Sequence, residues 1–477
     1  YTDSRDAFRK AIEIKPDYQE AIDNLKYLEE NYIKRFTNPV SSPVHNKTKR
    51  SAKNTKTTIS LCMIAKNEEK NIPTSIGTIK DCVDEIILVD TGSTDNTVEI
   101  AKSFGAKVYH YQWNDDFASA RNEALEHATK DWILVLDADD EMKKEDIEKL
   151  RLLLKDIDED YMGIALPIRS KTIGNEEVIN YLVRVFRNRK DIRFKRRIHE
   201  VVDYSIHNLG GKLLRLTDIF IEHRGYEDPD TLNAKIERNA KILEEEYKDN
   251  PDDPIILKYL ADTYSRLGDI EKSIDFYNRA IELSGDDLRY KHSKVNSLLS
   301  ISRIYMSMNE IEKAEPYALR SIDEDPNFPE GYFVLGHIYL NEKKYQEAYY
   351  NLKKVLEVDP LKSYCLVFSS EVKSLRLYIM LTACAVELKK FQDAITYGEM
   401  AIEKFGKNVD ILNNLGIAYA NLGLVKDARR CFEEALDIDP QNMGVRMNML
   451  TLLSDTGDME TTLLEMKETL DMMKNLV

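Results

Sequence analysis

Long apolar runs are missing from this 477-residue sequence. No stretch approaches the ~20 residues that cross a bilayer, so no helical membrane span is expected. No signal-peptide pattern is seen, in a sequence that starts at Tyr1 rather than Met and leaves room for a preceding piece. Cysteine is scarce: Cys62, Cys82, Cys365, Cys384 and Cys431 are scattered among apolar residues, and no CxxC pair occurs. That excludes a disulfide framework and a zinc knuckle, and predicts reduced, packed thiols in a cytoplasmic protein. Neither GxGxxG nor GxxxxGK[ST] is present, which sets aside dinucleotide and P-loop sites. Positive charge is in deficit: the formal net charge is −16, which disfavours general nucleic-acid binding.

Acid is also absent, but only locally. Between Glu30 and Glu68 there is no Asp or Glu, while Lys34, Arg35, Lys47, Lys49, Arg50, Lys53, Lys56 and Lys66 fall in the same window. With Pro39, Ser41, Ser42 and Pro43 nearby, residues 38–57 read as a basic, mobile linker. The default for such a stretch is a solvated tether; a binding segment is the alternative.

What the chain does contain suffices for packed cores, since 43% of residues are hydrophobic. From Thr58 to about Lys130 short apolar strands alternate with amphipathic helices. "TISLCMIA", "EIILVD", "AKVYHY" and "DWILVL" are the predicted strands; "NEEKNIPTSIGTIK", "STDNTVEIAKSFG" and "DFASARNEALEHATK" are the predicted helices. This pattern predicts an α/β, Rossmann-like domain whose parallel sheet is covered on both faces. Ligands of such sheets gather at the carboxyl ends of the strands. Asn67 and Glu68 follow the first strand, Asp90 ends the second, and Asp137 and Asp139 follow the fourth.

In "DWILVLDADD" the chain passes from buried apolar to acidic in one step, with Asp137, Asp139 and Asp140 inside four positions. Carboxylates this close repel unless something positive lies among them. A solvated turn is one reading and a divalent-cation site the other; the strand-end placement favours the second. Asp115 and Asp116, just before a helix, read as caps.

From about Asn233 the texture becomes all-helical and periodic. "LADTYSRLGDIEKSIDFYNRA", "LGHIYLNEKKYQEAYYNLKKV" and "LGIAYANLGLVKDARRCFEEA" share a Leu, a small residue after it and a Tyr three further on. Ile301 and Leu335 are 34 apart, as are Leu415 and Met449, and Pro326, Pro360 and Pro440 end helix pairs. The pattern resembles the tetratricopeptide repeat. About six units are expected over residues 231–477, stacked into a superhelix whose concave wall includes Lys258, Asp262, Arg266, Phe333, His337, Asn341, Asn413, Ile417 and Asn421. Mixed polar and apolar groups there suit an extended polypeptide. Residues 1–37 look like part of a further repeat.

Four motifs in order, "CMIAKNEEKNI", "ILVDTGSTDNT", "DFASARNEAL" and "WILVLDADD", make the first half resemble glycosyltransferase family 2, with the GT-A fold, over residues 58–230. The resemblance implies an inverting transferase that uses a nucleotide-sugar donor, a UDP-sugar from family frequency, with Mn²⁺ or Mg²⁺. It implies that Asp90 contacts the base, that Asn67, Glu68 and Arg121 line the nucleotide pocket, and that Asp137 and Asp139 form the DxD pair, with Asp139 a direct metal ligand. Thr91 stands where a second Asp is frequent in the family. In "RRIHEVVDYS" it nominates Glu200 as acceptor-side base and His199 as its partner; a structural pairing of Glu200 with Arg196 or Arg197 is the alternative. His223 is placed at the metal, against a packed histidine closing the domain. Repeats fused to such a domain resemble bacterial enzymes that sugar flagellin on Ser or Thr, or secreted peptides on Cys. A cell-envelope glycan or lipid acceptor is the competing reading, and a scaffold with a silent transferase domain the third.

Overall fold

In the computed structural model of the protein, residues 57–171, 177–225, 229–363, 367–369, 374–457, 462, 463, 466 and 467 are described. The predicted N-terminal repeat segment and the basic linker up to residue 56 lie outside them, as does Cys365.

Period-two alternation builds the first half. In β1 (Ile59–Ala65) the residues Ile59, Leu61, Met63 and Ala65 enter one apolar cluster while Cys62 enters another. In β2 (Glu85–Asp90) Ile86 and Leu88 join the first and Ile87 and Val89 the second. Successive side chains of a strand face opposite ways, so the sheet is buried on both faces. With β3 (Lys107–His110) and β4 (Trp132–Val135) these strands pair in parallel, in the order β3-β2-β1-β4.

Beyond β4 the sheet stops being parallel. The long strand β7 (Glu177–Arg187) pairs antiparallel with β4 and with β6 (Tyr161–Lys171). The order continues through β9 (Ile221–His223) to β5 (Asp140–Met142), with β8 (Lys212–Arg215) beside β6. The fully parallel sheet expected from the first four strands is therefore corrected to a mixed ten-stranded one. Of the predicted helices, α2 (Thr97–Ser103) and α3 (Phe117–His127) form, α3 capped by the Asp116 carboxylate on the Ser119 N–H. The stretch expected to be helical from residue 67 to 80 is helical only at α1 (Ile72–Ser75). Pro73 is tolerated only in a first turn, so regular helix does not begin before Ile72. α4 (Lys144–Asp156) and the short α5 (Asp203–Asn208) complete this half.

The second half begins with α6 (Pro229–Asp249) and continues as antiparallel pairs: α7 (Pro254–Arg266) with α8 (Ile270–Ser284), α9 (Lys291–Ser307) with α10 (Ile311–Glu324), α11 (Pro329–Asn341) with α12 (Tyr345–Glu357), α13 (Leu375–Glu387) with α14 (Phe391–Phe405), and α15 (Val409–Asn421) with α16 (Val425–Ile438). α17 (Met443–Thr456) opens a sixth unit. The recurring small residue has a steric reason: a Cβ added at Gly336 would lie 2.6 Å from Leu352, and one at Gly416 2.4 Å from Phe432. Helices approach through these positions, and larger side chains there would part them. Phe333, expected on the concave wall, is 3% exposed and belongs to the core between repeats.

The two halves are joined by more than the chain. β10 (Val367–Ser369), in the connection between α12 and α13, pairs antiparallel with residues 178–180 of β7. It occupies the edge of β7 that the four-residue β4 leaves uncovered. Arg196 and Arg197 pair with Asp253 and Asp249 at 2.8 and 2.9 Å. Trp113, Phe117 and Ile198 of the first half pack into the cluster of Ile242, Leu243, Ile256 and Leu260.

Candidate functional site

A cavity of about 580 Å³ lies at the carboxyl ends of β1 and β4, where the sequence placed its acids. Its walls come from both halves. The sheet supplies Glu68, Asp137, Asp139 and Arg184; α3 supplies Arg121; the segment Ile198–Asp203 forms one side; α6 and α7 close it with Lys235, Arg238 and Tyr259. Its volume is in the range that holds a drug-sized ligand.

Charge is balanced here by protein groups first. Arg121 donates from Nε to Glu200 Oε1 at 2.5 Å and from Nη2 to Asp137 Oδ1 at 2.5 Å. Arg184 donates to Asp137 Oδ2 at 2.7 Å and lies 3.8 Å from Asp140. Burial alone pushes the Asp137 carboxyl up, but the two guanidiniums hold it well below the ordinary carboxylate range. Arg184 was not anticipated. Its signal was present: an arginine inside the apolar run "YLVRVFR" must find an anion when the strand is buried.

Asp140, the third carboxylate of that cluster, lies on β5 and is 1% exposed. Its Oδ2 accepts the Asp137 N–H at 3.0 Å, and its Oδ1 lies 2.9 Å from His223 Nδ1. The β5–β9 register places Asp140 directly opposite His223, and Asp139 Oδ1 is 3.6 Å from the same nitrogen. The hydrogen bond to Asp140 raises the His223 pKa against the effect of burial. Burial, reinforced by Asp137 and Asp140, raises that of Asp139 against the pull of His223.

Asp139, Asp140 and His223 can each turn one ligand atom toward a shared point, all within 4.8 Å of one another. Two carboxylates and an imidazole suit a borderline-hard divalent ion such as Mn²⁺. Gly225 leaves room there, since a Cβ on it would lie 2.7 Å from His223 Nε2 and 3.2 Å from Asp139 Oδ2. The residues present, Asp139, Asp140 and His223, fit a divalent metal.

The other predicted residues divide. Glu68 lines the cavity, its carboxylate accepting from Asn71 at 2.7 Å. Burial, with Asp139 adding to it, raises its pKa against that hydrogen bond. Asn67 and Asp90 are not among the residues that line the cavity. Asn67, at φ 58°, accepts the Thr94 N–H at 2.8 Å, and Asp90 accepts those of Ser93 and Gly92 at 3.0 and 3.4 Å and lies 3.1 Å from His110 Nδ1. Both frame the loops beside the cavity. His199, at φ 53°, stacks on Tyr259 with ring centroids 3.7 Å apart. Burial, then Lys258, lower its pKa to about 4, so the imidazole is neutral at pH 7. Glu200 lines the cavity, but its cation is Arg121; the pairings weighed from sequence, Arg196 and Arg197, go to Asp253 and Asp249.

Residues 60–212 match the family described as Glycosyl transferase family 2, and 260–287, 295–328, 317–350 and 409–442 match tetratricopeptide repeats. The first half is a family 2 glycosyltransferase domain. A TPR repeat-containing protein of Synechococcus elongatus is 38% identical over 219 residues, 45% of this chain and 54% of that protein. The SPbeta prophage-derived glycosyltransferase SunS of Bacillus subtilis is 28% identical over 231 residues, 47% of this chain and 53% of its own. The chain thus spans about half the length of the curated relatives it matches. A solved tetratricopeptide protein described as having an unusual peptide-binding site, YrrB, aligns over 41% of this chain and 91% of its own, at 20% identity and a TM-score of 0.34. Among the described residues no helix is long and apolar enough to cross a membrane.

Besides Arg184 of the sheet, sequence reasoning missed the groups that the helical half contributes from afar. Lys235, Arg238 and Tyr259 reach the cavity from α6 and α7, and no local spacing could place them.

Proposed function

We propose that the protein is an inverting glycosyltransferase that moves a sugar from a nucleotide-sugar donor, a UDP-sugar in the first instance, to a polypeptide acceptor presented by the repeats. The observation that carries the reading is the shared cavity: Asp137, Asp139 and Arg184 of the transferase sheet face Lys235, Arg238 and Tyr259 of the helical half across one space. Asp139, Asp140 and His223 would hold a divalent ion, whose chemistry would be to neutralise charge on the departing diphosphate. Arg121 and Arg184 hold Asp137 in one position beside it. Ile64, Leu182 and Val183 add an apolar wall to the cavity. A hydroxyl of flagellin Ser or Thr is the acceptor chemistry proposed first; a peptide cysteine thiol is the second, and both are polypeptide groups that a curved helical array can present.

The test is direct. Incubate the full chain with labelled nucleotide sugars, Mn²⁺ and cell lysate, and follow the label. Protease-sensitive label supports the reading, and mass spectrometry of the labelled peptide separates O-linked from S-linked sugar. Label confined to lipid-soluble material overturns the polypeptide acceptor. Asp139→Ala is expected to lower Mn²⁺-dependent donor turnover by about 100-fold or more; undiminished turnover would remove the metal assignment.

A further inference from the structure

Attack of an acceptor O–H or S–H on the anomeric carbon requires a base on the acceptor side. Five carboxylates line the cavity: Glu68, Asp137, Asp139, Glu200 and Asp203. Four of them are engaged by other side chains. Asp137 lies between two guanidiniums, and Asp139 lies beside His223. Glu68 accepts from Asn71, and Glu200 accepts from Arg121, which is itself shared with Asp137. The Glu200 carboxylate is held at 2.5 Å by a buried guanidinium, which leaves less of it free to meet an acceptor hydrogen.

Asp203 is different. Among the described residues its carboxylate makes no ion pair and accepts no hydrogen bond from another residue's side chain. It sits one turn past Glu200, at the start of α5, on the side of the cavity formed by Ile198–Asp203. That side meets the helical half, through the stacking of His199 on Tyr259. It is where an acceptor delivered by the repeats would arrive, across the space from Asp139. His199, on the same side, is stacked on the Tyr259 ring.

We infer that Asp203, rather than Glu200, is the base that deprotonates the acceptor, with Glu200 a positioning residue that fixes Arg121. The inference rests on the glycosyltransfer reading above. In the step, the acceptor proton passes to an Asp203 oxygen while the acceptor lone pair forms the bond to the anomeric carbon. The bond from that carbon to the diphosphate oxygen breaks, and its electron pair leaves with the diphosphate. Burial agrees with the assignment, since it lifts the Asp203 pKa to about 6, closer to neutrality than an ordinary carboxylate, with His207 opposing.

Water can stand in for the unidentified acceptor. The full chain is assayed with UDP-glucose and UDP-N-acetylglucosamine plus Mn²⁺, reading UDP release, and donor affinity is read by calorimetry. Asp203→Asn is expected to lower the rate constant for UDP release by about 100-fold or more, with the donor Kd within about twofold. Asp203→Glu is expected to restore part of the rate, which a merely structural role would not predict. Glu200→Gln is expected to weaken donor binding as well as turnover, because it frees Arg121. If Asp203→Asn turns over within about threefold of the parent while Glu200→Gln is inert with normal donor binding, the base is Glu200 and the inference is wrong. Failure of the underlying reading has its own signature: the parent chain releases no UDP and binds neither donor.

Discussion

Burial pushes the carboxyls of both Glu85 and Asp203 upward, yet their proton affinities move in opposite directions. Glu85 accepts from Ser60 Oγ at 2.7 Å, Lys107 Nζ at 2.8 Å and the Thr129 N–H at 2.8 Å. Burial pushes its pKa up, but these donors overcome it and bring the value from 4.5 to about 2. A depressed carboxylate contributes stability that is present above its unfolded pKa and lost as pH falls through its folded one. Glu85→Gln should therefore cost about 1–3 kcal/mol at pH 7, and should flatten the loss of stability between pH 4.5 and 2. Urea titrations across that window check it; an unchanged acid limb would show that Glu85 is not the group responsible. For Asp203, with no such donors, the sign reverses. Its contribution is present at low pH and is lost as pH rises through about 6. Asp203→Asn should thus be no less stable than the parent above that pH, so lost turnover in that variant cannot be blamed on unfolding. Stability is given up at this residue, as is common where function needs a strained charge.

At the scale of elements, the instructive one is β10. The edge of β7 would otherwise present unpaired backbone groups beyond the end of β4, the template that promotes edge-to-edge association. A strand lent by the repeat domain covers it. Phe368→Pro removes a backbone N–H from the middle of that strand and restricts its φ. Amide hydrogen exchange should then quicken at Val178–Asn180 and stay slow in the β4-paired segment Val185–Arg187. Equal protection in both segments of the variant would mean that β10 contributes nothing to the docking. The β5–β9 pair works in the same way for the site: three residues on each strand, paired antiparallel, bring Asp140 against His223 across more than eighty positions of chain.

From residue 57 onward the described residues form one compact unit, in which the two halves share apolar surface and ion pairs. Trp113, Phe117 and Ile198 pack on helices of the second half, and Arg196 and Arg197 are paired there. A fragment covering residues 57–225 would expose those side chains and leave both arginines without Asp253 and Asp249. It is expected to bind a hydrophobic dye and to elute as aggregates, and to bind donor at least tenfold more weakly than the full chain. Gel filtration and calorimetry decide; a monodisperse fragment with full donor affinity would show that the repeats only tether the acceptor.

Much of this organisation was written in residue order. Near-continuous apolar runs from Ile59 to Ala65 and from Ile86 to Val89 predicted strands buried on both faces, because successive side chains of any strand face opposite ways. The 34-residue recurrence of Leu, a small residue and Tyr predicted the helical pairs, because each unit repeats one local packing problem. The acids at the strand ends predicted where the site would lie. Tertiary structure alone decided which groups face each other there. Arg184 finds Asp137, Arg121 binds Glu200, His223 is brought to Asp140, and Tyr259 meets His199. These are pairings between residues tens of positions apart. Their energies depend on strand register and on how much water is excluded, and neither exists until the chain has folded.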